Sequence, residues 1–173
     1  MTMLSLLIKA VFSLTVSFYT LSFQNTDGNT VSMNNFQGKK VLIVNIATGS
    51  EKVNQLAGLQ QLQQQYNDSL VVIVFPSNSF GHESRNDNEI KQFCQSGYNS
   101  TFIIAAKSTV TGSGVNSVFN WLTNQSQNGE MNAPAGGDFQ KFLVDKDGML
   151  IGVFSPKVNP LDNELVQAIT TSF

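Results

Sequence analysis

Val41-Leu-Ile-Val-Asn-Ile46 and Leu70-Val-Val-Ile-Val-Phe75 are the two stretches of this 173-residue chain that decide its fold. Each is an almost unbroken apolar run, which is typical of a strand that is covered on both faces. Between them, the segment from Val53 to Tyr66 carries apolar residues at helical spacing. Residues 41–75 therefore predict a strand–helix–strand unit whose two strands run parallel.

Alternating stretches lie on both sides of this unit, and each pair is joined by a turn that contains Asp-Gly. Residues 17–23 and 30–36 enclose Asp27-Gly28, and a second such pattern covers residues 142–154. Asp-Gly between two alternating runs is a strong β-hairpin signal. We therefore predict an N-terminal β-hairpin and a second, antiparallel hairpin near the C-terminus.

Further helices and one short strand complete the predicted order of elements. Apolar spacing predicts helices over about residues 88–96, 115–122 and 160–169, and Phe102 to Ala105 reads as a short strand. The resulting fold class is α/β, with three layers: a mixed central sheet, helices on both of its faces, and an N-terminal β-hairpin.

Composition limits the classes of function that this chain can have. The charged fraction is 13%, against about 25% in an average protein, and the formal net charge is −2. No basic patch is visible, so we expect no nucleic-acid partner. With one cysteine and one histidine the chain can form neither an internal disulfide nor a cysteine-based zinc site. We expect no metal and no cofactor.

Residues 1–16 form an apolar N-terminal segment, and residues 17–173 are predicted to form one domain. The apolar stretch contains Lys9, no basic residue precedes it, and no small-residue cleavage pattern follows it. It is also too short to span a bilayer. We interpret it as a short docking helix, with a signal-like anchor as the alternative. The compartment stays open: cytoplasmic is favoured, and export or membrane association is the alternative.

Three motifs resemble those of the glutathione peroxidase family. Val44-Asn-Ile-Ala-Thr-Gly-Ser50 is similar to V-N-V-A-S-x-C/U, and Phe75-Pro-Ser-Asn-Ser-Phe-Gly81 is similar to F-P-C-N-Q-F-G. The segment from Asp138 to Gly148 resembles W-N-F-x-K-F-L-V-D-x-x-G without its Trp. The resemblance covers about residues 17–169 in unbroken order. It implies a thioredoxin-like fold, and peroxide reduction by a Cys or selenocysteine at a helix N-terminus.

The resemblance also marks the family's catalytic positions in this chain, and all four carry a different residue. The matching residues are Ser50 for the nucleophile, Ser79 for the Gln, Gly137 for the Trp and Asp138 for the Asn. A serine hydroxyl has no accessible sulfenic acid, so Ser50 cannot run a peroxidase cycle. An ionised Asp138 accepts hydrogen bonds and cannot donate them. We therefore predict that these four positions are non-functional in peroxide reduction.

Cys94 and His82 are the remaining candidates for chemistry. Cys94 resembles the resolving cysteine of thioredoxin-dependent members, but it has no peroxidatic partner; its main interpretation is a buried apolar residue. A one-cysteine redox role and intermolecular pairing are the alternatives. His82 could join Ser50 in a hydrolase pair, but no G-x-S-x-G motif is present and nothing marks a third member. We interpret His82 as an exposed loop histidine.

The sequence leaves three hypotheses on function. The first is a glutathione-peroxidase-like protein without peroxidase activity that has a binding or scaffold role. The second is a residual thiol peroxidase or redox sensor that acts through Cys94. The third is a ligand site in the vacated pocket near Ser50, which the small residues Gly137 and Ser79 would open. The loop before Phe139 is short, as in the compact members of the family, so we expect a monomer.

Overall fold

The computed structural model of this protein describes residues 15–171. The strands within that range are β1 (Ser22–Gln24), β2 (Thr30–Ser32), β3 (Lys40–Ile46), β4 (Leu70–Pro76), β5 (Ile103–Ile104), β6 (Lys141–Val144) and β7 (Leu150–Phe154). The α-helices within it are α1 (Gln55–Gln65), α2 (Asp87–Tyr98), α3 (Ser117–Thr123), α4 (Gln125–Asn128) and α5 (Asn163–Thr170).

Five of the described strands form one mixed sheet in the order β5-β4-β3-β6-β7. β3 pairs with β4 in parallel, and β4 pairs with β5 in parallel. β6 lies antiparallel to both β3 and β7. The predicted strand–helix–strand unit and the C-terminal hairpin are therefore confirmed. β1 and β2 form a separate two-stranded antiparallel sheet, which confirms the N-terminal hairpin.

The side chains of β3 alternate between two apolar cores, one on each face of the sheet. Val41 and Ile43 contact the core that contains α3 and the N-terminal hairpin. Leu42 and Val44 contact the core that contains α1, α2 and α5. Because both faces are covered, the strand needs apolar residues at successive positions, which explains its unbroken run. The prediction of a mixed sheet with helices on both faces is confirmed.

Several predicted boundaries differ from those of the structure. The strands of the N-terminal hairpin are three residues long, because Phe18–Thr20 and Met33–Phe36 turn into short 3-10 helices. α2 extends to Tyr98, beyond the predicted end at residue 96. The next residue, Asn99, caps the helix in the left-handed conformation with a φ of 49°. The four-residue helix α4 carries no periodic pattern that the sequence could reveal.

The N-terminal segment lies almost wholly outside the described residues, so the docking-helix and signal-like interpretations stay predictions. Its last residue, Val16, is described, and its carbonyl oxygen accepts a hydrogen bond of 2.6 Å from Trp121 Nε1. Trp121 is buried, as its spacing with Val118 and Leu122 predicts. Within residues 15–171, no helix has both the length and the hydropathy that a bilayer crossing requires.

Candidate functional site

Four connecting segments meet at one edge of the sheet: those that follow β3, β4 and β7, and the one that precedes β6. The carboxyl ends of the parallel strands β3 and β4 lie at this edge. Because β6 runs antiparallel to β3, the residues that precede β6 lie there as well. The Phe139 backbone N–H donates to the Asn45 carbonyl at 2.6 Å and fixes this segment against β3. Open α/β sheets bind their ligands at the carboxyl ends of their strands, so we expect a ligand site at this edge.

A cavity of about 890 Å³ opens at this edge. Its walls include three of the four positions that the sequence marks: Ser50, Gly137 and Asp138. His82, from the loop after β4, lines the same cavity. Glu51 and Lys52 lie on its wall without closing it. The structure therefore supports the expectation of a cavity near Ser50.

Ser79 lies outside this cavity, although the sequence places it with the other three positions. Its Oγ accepts hydrogen bonds from Ser77 Oγ at 2.9 Å and from the Val110 backbone N–H at 3.1 Å. It lines a separate, shallower depression together with Asn78 and Lys107. Ser79 therefore holds its own loop against the segment before α3 and does not face Ser50.

Ser50 lies in the turn between β3 and α1. Its backbone N–H donates to the Ala47 carbonyl at 3.2 Å, and its Oγ accepts from the Lys52 backbone N–H at 3.3 Å. The residue is 7% exposed and lies on the wall of the cavity. Residues 51–54 form a turn that separates Ser50 from Gln55, the first residue of α1.

Asp138 and His82 are in hydrogen-bonding contact on the wall of the cavity. Asp138 Oδ2 lies 2.6 Å from His82 Nδ1. The Asp138 side chain is 4% exposed, whereas the His82 side chain is 56% exposed. The interpretation of His82 as a simple exposed loop residue is therefore incomplete, because a buried carboxylate orients its ring. The sequence could not reveal this pair, since the two residues lie 56 positions apart.

Phe139 has a backbone conformation that a bulky residue rarely adopts. Its φ is +66°, and its side chain is fully buried. Left-handed conformations of large residues cost free energy and are concentrated near functional sites. Here the conformation turns the chain so that Asp138 faces the cavity while Phe139 enters the core.

Glu83 is a structural residue of the site that sequence reasoning missed. Its buried carboxylate accepts hydrogen bonds from the Thr48 backbone N–H at 2.7 Å and from Thr48 Oγ1 at 2.8 Å. It also accepts from the Arg85 backbone N–H at 3.0 Å. These contacts tie the loop after β4 to the loop after β3. A single acidic residue in a polar loop carries no sequence pattern that would have identified it.

Lys141 is a second residue that the sequence did not single out. It lies at the start of β6 and is fully buried. Its Nζ donates to Gln55 Oε1 on α1 and to the Val158 carbonyl, and Gln55 Nε2 donates to the Pro156 carbonyl at 2.9 Å. Burial lowers the pKa of Lys141 to about 8, an effect that Asp162 opposes and Lys52 reinforces.

Cys94 lies on α2 with its side chain in the core between that helix and the sheet, and it does not line the cavity. It is fully buried and free of any disulfide. Burial raises the pKa of the Cys94 thiol to about 12, and the charge of Glu83 adds to this shift. Only a thiolate is a strong nucleophile, so this setting favours the interpretation of Cys94 as an apolar core residue.

The groups that line the cavity include the Ser50 hydroxyl, the His82 imidazole, the Asp138 carboxylate and the charged side chains Glu51, Lys52 and Lys157. Within residues 15–171, no cluster of three or more His, Cys, Asp or Glu side chains could hold a metal ion. A serine with a neighbouring histidine can act as a nucleophile or donate hydrogen bonds to a bound molecule. It cannot form the sulfenic acid on which a thiol peroxidase depends.

Sequence comparison finds a matching family profile and relatives that cover most of this chain. The sequence profile of the family described as glutathione peroxidase matches residues 18–123. The chain is 34% identical over 151 residues to a glutathione peroxidase of Lactococcus lactis subsp. cremoris, covering 86% of this chain and 96% of the relative. It is 39% identical over 145 residues to a glutathione peroxidase-like peroxiredoxin of Chlamydomonas reinhardtii, covering 83% and 89% of the two chains.

Solved structures agree with these sequence relatives. The apo form of the protein Trgpx superposes with a TM-score of 0.67 at 25% identity, covering 89% of this chain and 96% of the other. A thioredoxin family protein of Chlorobium tepidum superposes with a TM-score of 0.60 at 16% identity, covering 90% and 96%, and this likeness concerns the fold alone. The thioredoxin-like fold that the motifs imply is thus confirmed. With a matching family profile over well over half of its length and relatives above 30% identity, this chain belongs to the glutathione peroxidase family.

Proposed function

We propose that this member of the glutathione peroxidase family has no peroxidase activity and acts as a binding or scaffold protein through the cavity at Ser50. The observation that carries the proposal is the hydroxyl of Ser50 at the position that matches the family's nucleophile, on the wall of a cavity of about 890 Å³. Peroxide reduction by a thiol requires a sulfur that cycles through a sulfenic acid. None of the described residues that line the cavity carries a sulfur atom.

The alternative, a thiol peroxidase or redox sensor acting through Cys94, has less support. That thiol is fully buried, and its pKa is raised to about 12, so almost none of it is thiolate at neutral pH. Redox-active cysteines are exposed and have low pKa values. Exposure of Cys94 would require α2 to separate from the sheet.

A peroxide-consumption assay tests the loss of activity. We expect wild-type protein to consume hydrogen peroxide at the buffer rate with either glutathione or thioredoxin as reductant. The Ser50→Cys variant, with a thiol on the cavity wall, is the matched comparison and should consume peroxide faster than wild type. Turnover by wild-type protein would contradict the proposal. If that turnover disappeared in Cys94→Ala, the Cys94 alternative would be correct.

The binding role has its own test, because Gly137 offers space for a larger residue. A Cβ at this position would come no closer than 3.4 Å to Pro156 Cγ, an ordinary contact, so Gly137→Trp can fill the cavity from its wall. In a thermal-shift panel of small carboxylic acids, amines and amides, we expect compounds that stabilise the wild type to lose their effect in this variant. Equal stabilisation of both proteins would place binding elsewhere.

A further inference from the structure

The His82–Asp138 pair has the geometry of an oriented general base. Asp138 is buried and holds Nδ1 of the imidazole at 2.6 Å, while the ring itself is about half exposed. A carboxylate in this position fixes the ring orientation and its tautomer, so that the other nitrogen, Nε2, is free to take a proton. His82 is the single histidine of the chain.

Ser50 is held beside this pair by the backbone. The Gly49 N–H donates to the His82 carbonyl at 3.0 Å, which joins the residue before Ser50 to the histidine itself. The Ser50 Oγ accepts one hydrogen bond, from the Lys52 N–H. Among the described residues it donates none, so its proton remains available. Ser50 and His82 are not hydrogen-bonded to each other here; such contacts commonly tighten only when substrate enters.

The turn that carries Ser50 also has the features that acyl transfer needs. It joins a buried parallel strand to a helix, as the turn that carries the nucleophile does in serine hydrolases. The backbone N–H of Glu51, the next residue, donates to no acceptor among residues 15–171. In such turns this N–H helps to stabilise the oxyanion of the tetrahedral intermediate. The sequence Thr48-Gly-Ser-Glu-Lys52 departs from G-x-S-x-G, so only the placement is shared.

From this arrangement we propose that Ser50, His82 and Asp138 form an acyl-transfer site that hydrolyses esters of small carboxylic acids. Ser50 Oγ forms a bond to the acyl carbon and gives its proton to His82 Nε2. The ester C–O bond breaks, and the alcohol leaves with that proton. Water then attacks the acyl-serine and gives its proton to His82; the acid is released and Ser50 regains its hydrogen. Asp138 acts as a positioning residue through His82.

This proposal goes beyond the loss of peroxidase activity, and the two stand or fall separately. The absence of peroxide reduction does not determine esterase activity, and an active peroxidase would leave the ester assay unchanged. Both proposals use the same cavity, whose volume of about 890 Å³ accommodates a small ester.

Hydrolysis of p-nitrophenyl acetate by the full-length protein is the experiment. We expect wild-type protein to release p-nitrophenolate above the buffer rate, and Ser50→Ala and His82→Ala to lose about 100-fold or fall to the buffer rate. Asp138→Asn should lower kcat, calculated per folded molecule, at least tenfold and change KM less than threefold; urea unfolding gives the folded fraction. Ser79→Ala and Cys94→Ala, whose side chains lie outside the cavity, should retain the wild-type rate.

Covalent labelling of the wild-type protein identifies the nucleophile directly. A fluorophosphonate forms a bond between phosphorus and the attacking oxygen and releases fluoride, and peptide mass spectrometry locates the adduct. We expect the adduct on Ser50 in wild-type protein and none in His82→Ala. Hydrolysis at the buffer rate by wild-type protein, an undiminished rate in Ser50→Ala, or an adduct on another residue would overturn the proposal.

Discussion

Gly49 lies where the loop after β3 comes closest to the loop after β4. A Cβ added at this residue would lie 2.7 Å from the His82 carbonyl oxygen, closer than real Cβ contacts allow. The same contact carries the hydrogen bond from the Gly49 N–H to that oxygen. A glycine is therefore needed here for close approach of two backbones, and the position of His82 relative to Ser50 depends on it.

We expect Gly49→Ala to lower the free energy of unfolding by about 1–2 kcal/mol, because one of the two loops must shift. Gly97→Ala on α2 is the control, since a Cβ there meets nothing within 4 Å. Because alanine is a better helix former than glycine, we expect Gly97→Ala to raise the free energy of unfolding by about 0.5–1 kcal/mol. Urea unfolding measures both. Equal stability of Gly49→Ala and wild type would show that the two loops are not in close contact.

At this scale the sequence predicts which residues occupy the site better than it predicts their contacts. Ser50, Gly137 and Asp138 are found from motif spacing, because strand ends carry them to the same edge. The His82–Asp138 contact cannot be found from motif spacing, because it depends on the turn at Phe139 and on the hydrogen bonds by which Glu83 anchors the His82 loop. Ser79 shows the converse: correct spacing in a motif did not place it in the cavity.

Lys141 connects three elements through its buried side chain. Its buried ammonium joins β6 to Gln55 on α1 and to the segment after β7 through the Val158 carbonyl. These elements are far apart in sequence, so this network helps to fix their relative position. Burial keeps the Lys141 ammonium away from water, which destabilises the charged form and lowers the pKa of this residue to about 8.

A pH dependence of stability follows from this lowered pKa. Between about pH 8 and pH 10.5 the unfolded chain keeps the Lys141 proton while the folded chain has lost it, so the contribution of this residue to stability rises with pH. The free energy of unfolding of wild type relative to Lys141→Met should therefore rise across this window, by on the order of 3 kcal/mol. Chemical denaturation at several pH values measures the difference.

The exposed Lys146 provides the control for this comparison. Its side chain is 55% exposed and pairs with Asp147 at the surface. Lys146→Met removes the same charge without relieving burial, so its stability relative to wild type should stay nearly constant over the same window. The raised pKa of Cys94 acts in all three proteins and cancels in the differences. A flat difference for Lys141→Met as well would mean that the Lys141 ammonium is not desolvated.

Elements were predicted best where burial on both faces dictates their composition. β3, β4 and the C-terminal hairpin follow from apolar runs and an Asp-Gly turn. The N-terminal hairpin is shorter than its pattern, because residues on either side of it turn into 3-10 helices that pack Phe18 and Met33 into the core. α4 was missed because a four-residue polar helix has no period to detect.

The whole molecule combines the architecture of its family with a cavity that has no sulfur. The fold is that of the relatives over most of their length, which explains why ordered motifs identify it from sequence. The one cysteine of the chain lies in the opposite setting from a peroxidatic thiol: buried, apolar and weakly acidic. The described residues that line the cavity offer oxygen and nitrogen groups for binding and for chemistry.

The central claim is that no thiol of the folded wild-type protein reacts readily with peroxide. Intact mass spectrometry tests it after the native protein is treated briefly with equimolar hydrogen peroxide. The Ser50→Cys variant serves as the positive control, because a thiol on the cavity wall should gain one oxygen as a sulfenic acid. In wild-type protein we predict that Cys94 stays unmodified, as peptide analysis would confirm. Oxidation of Cys94 in the folded wild-type protein to the same extent as the introduced thiol would contradict the account.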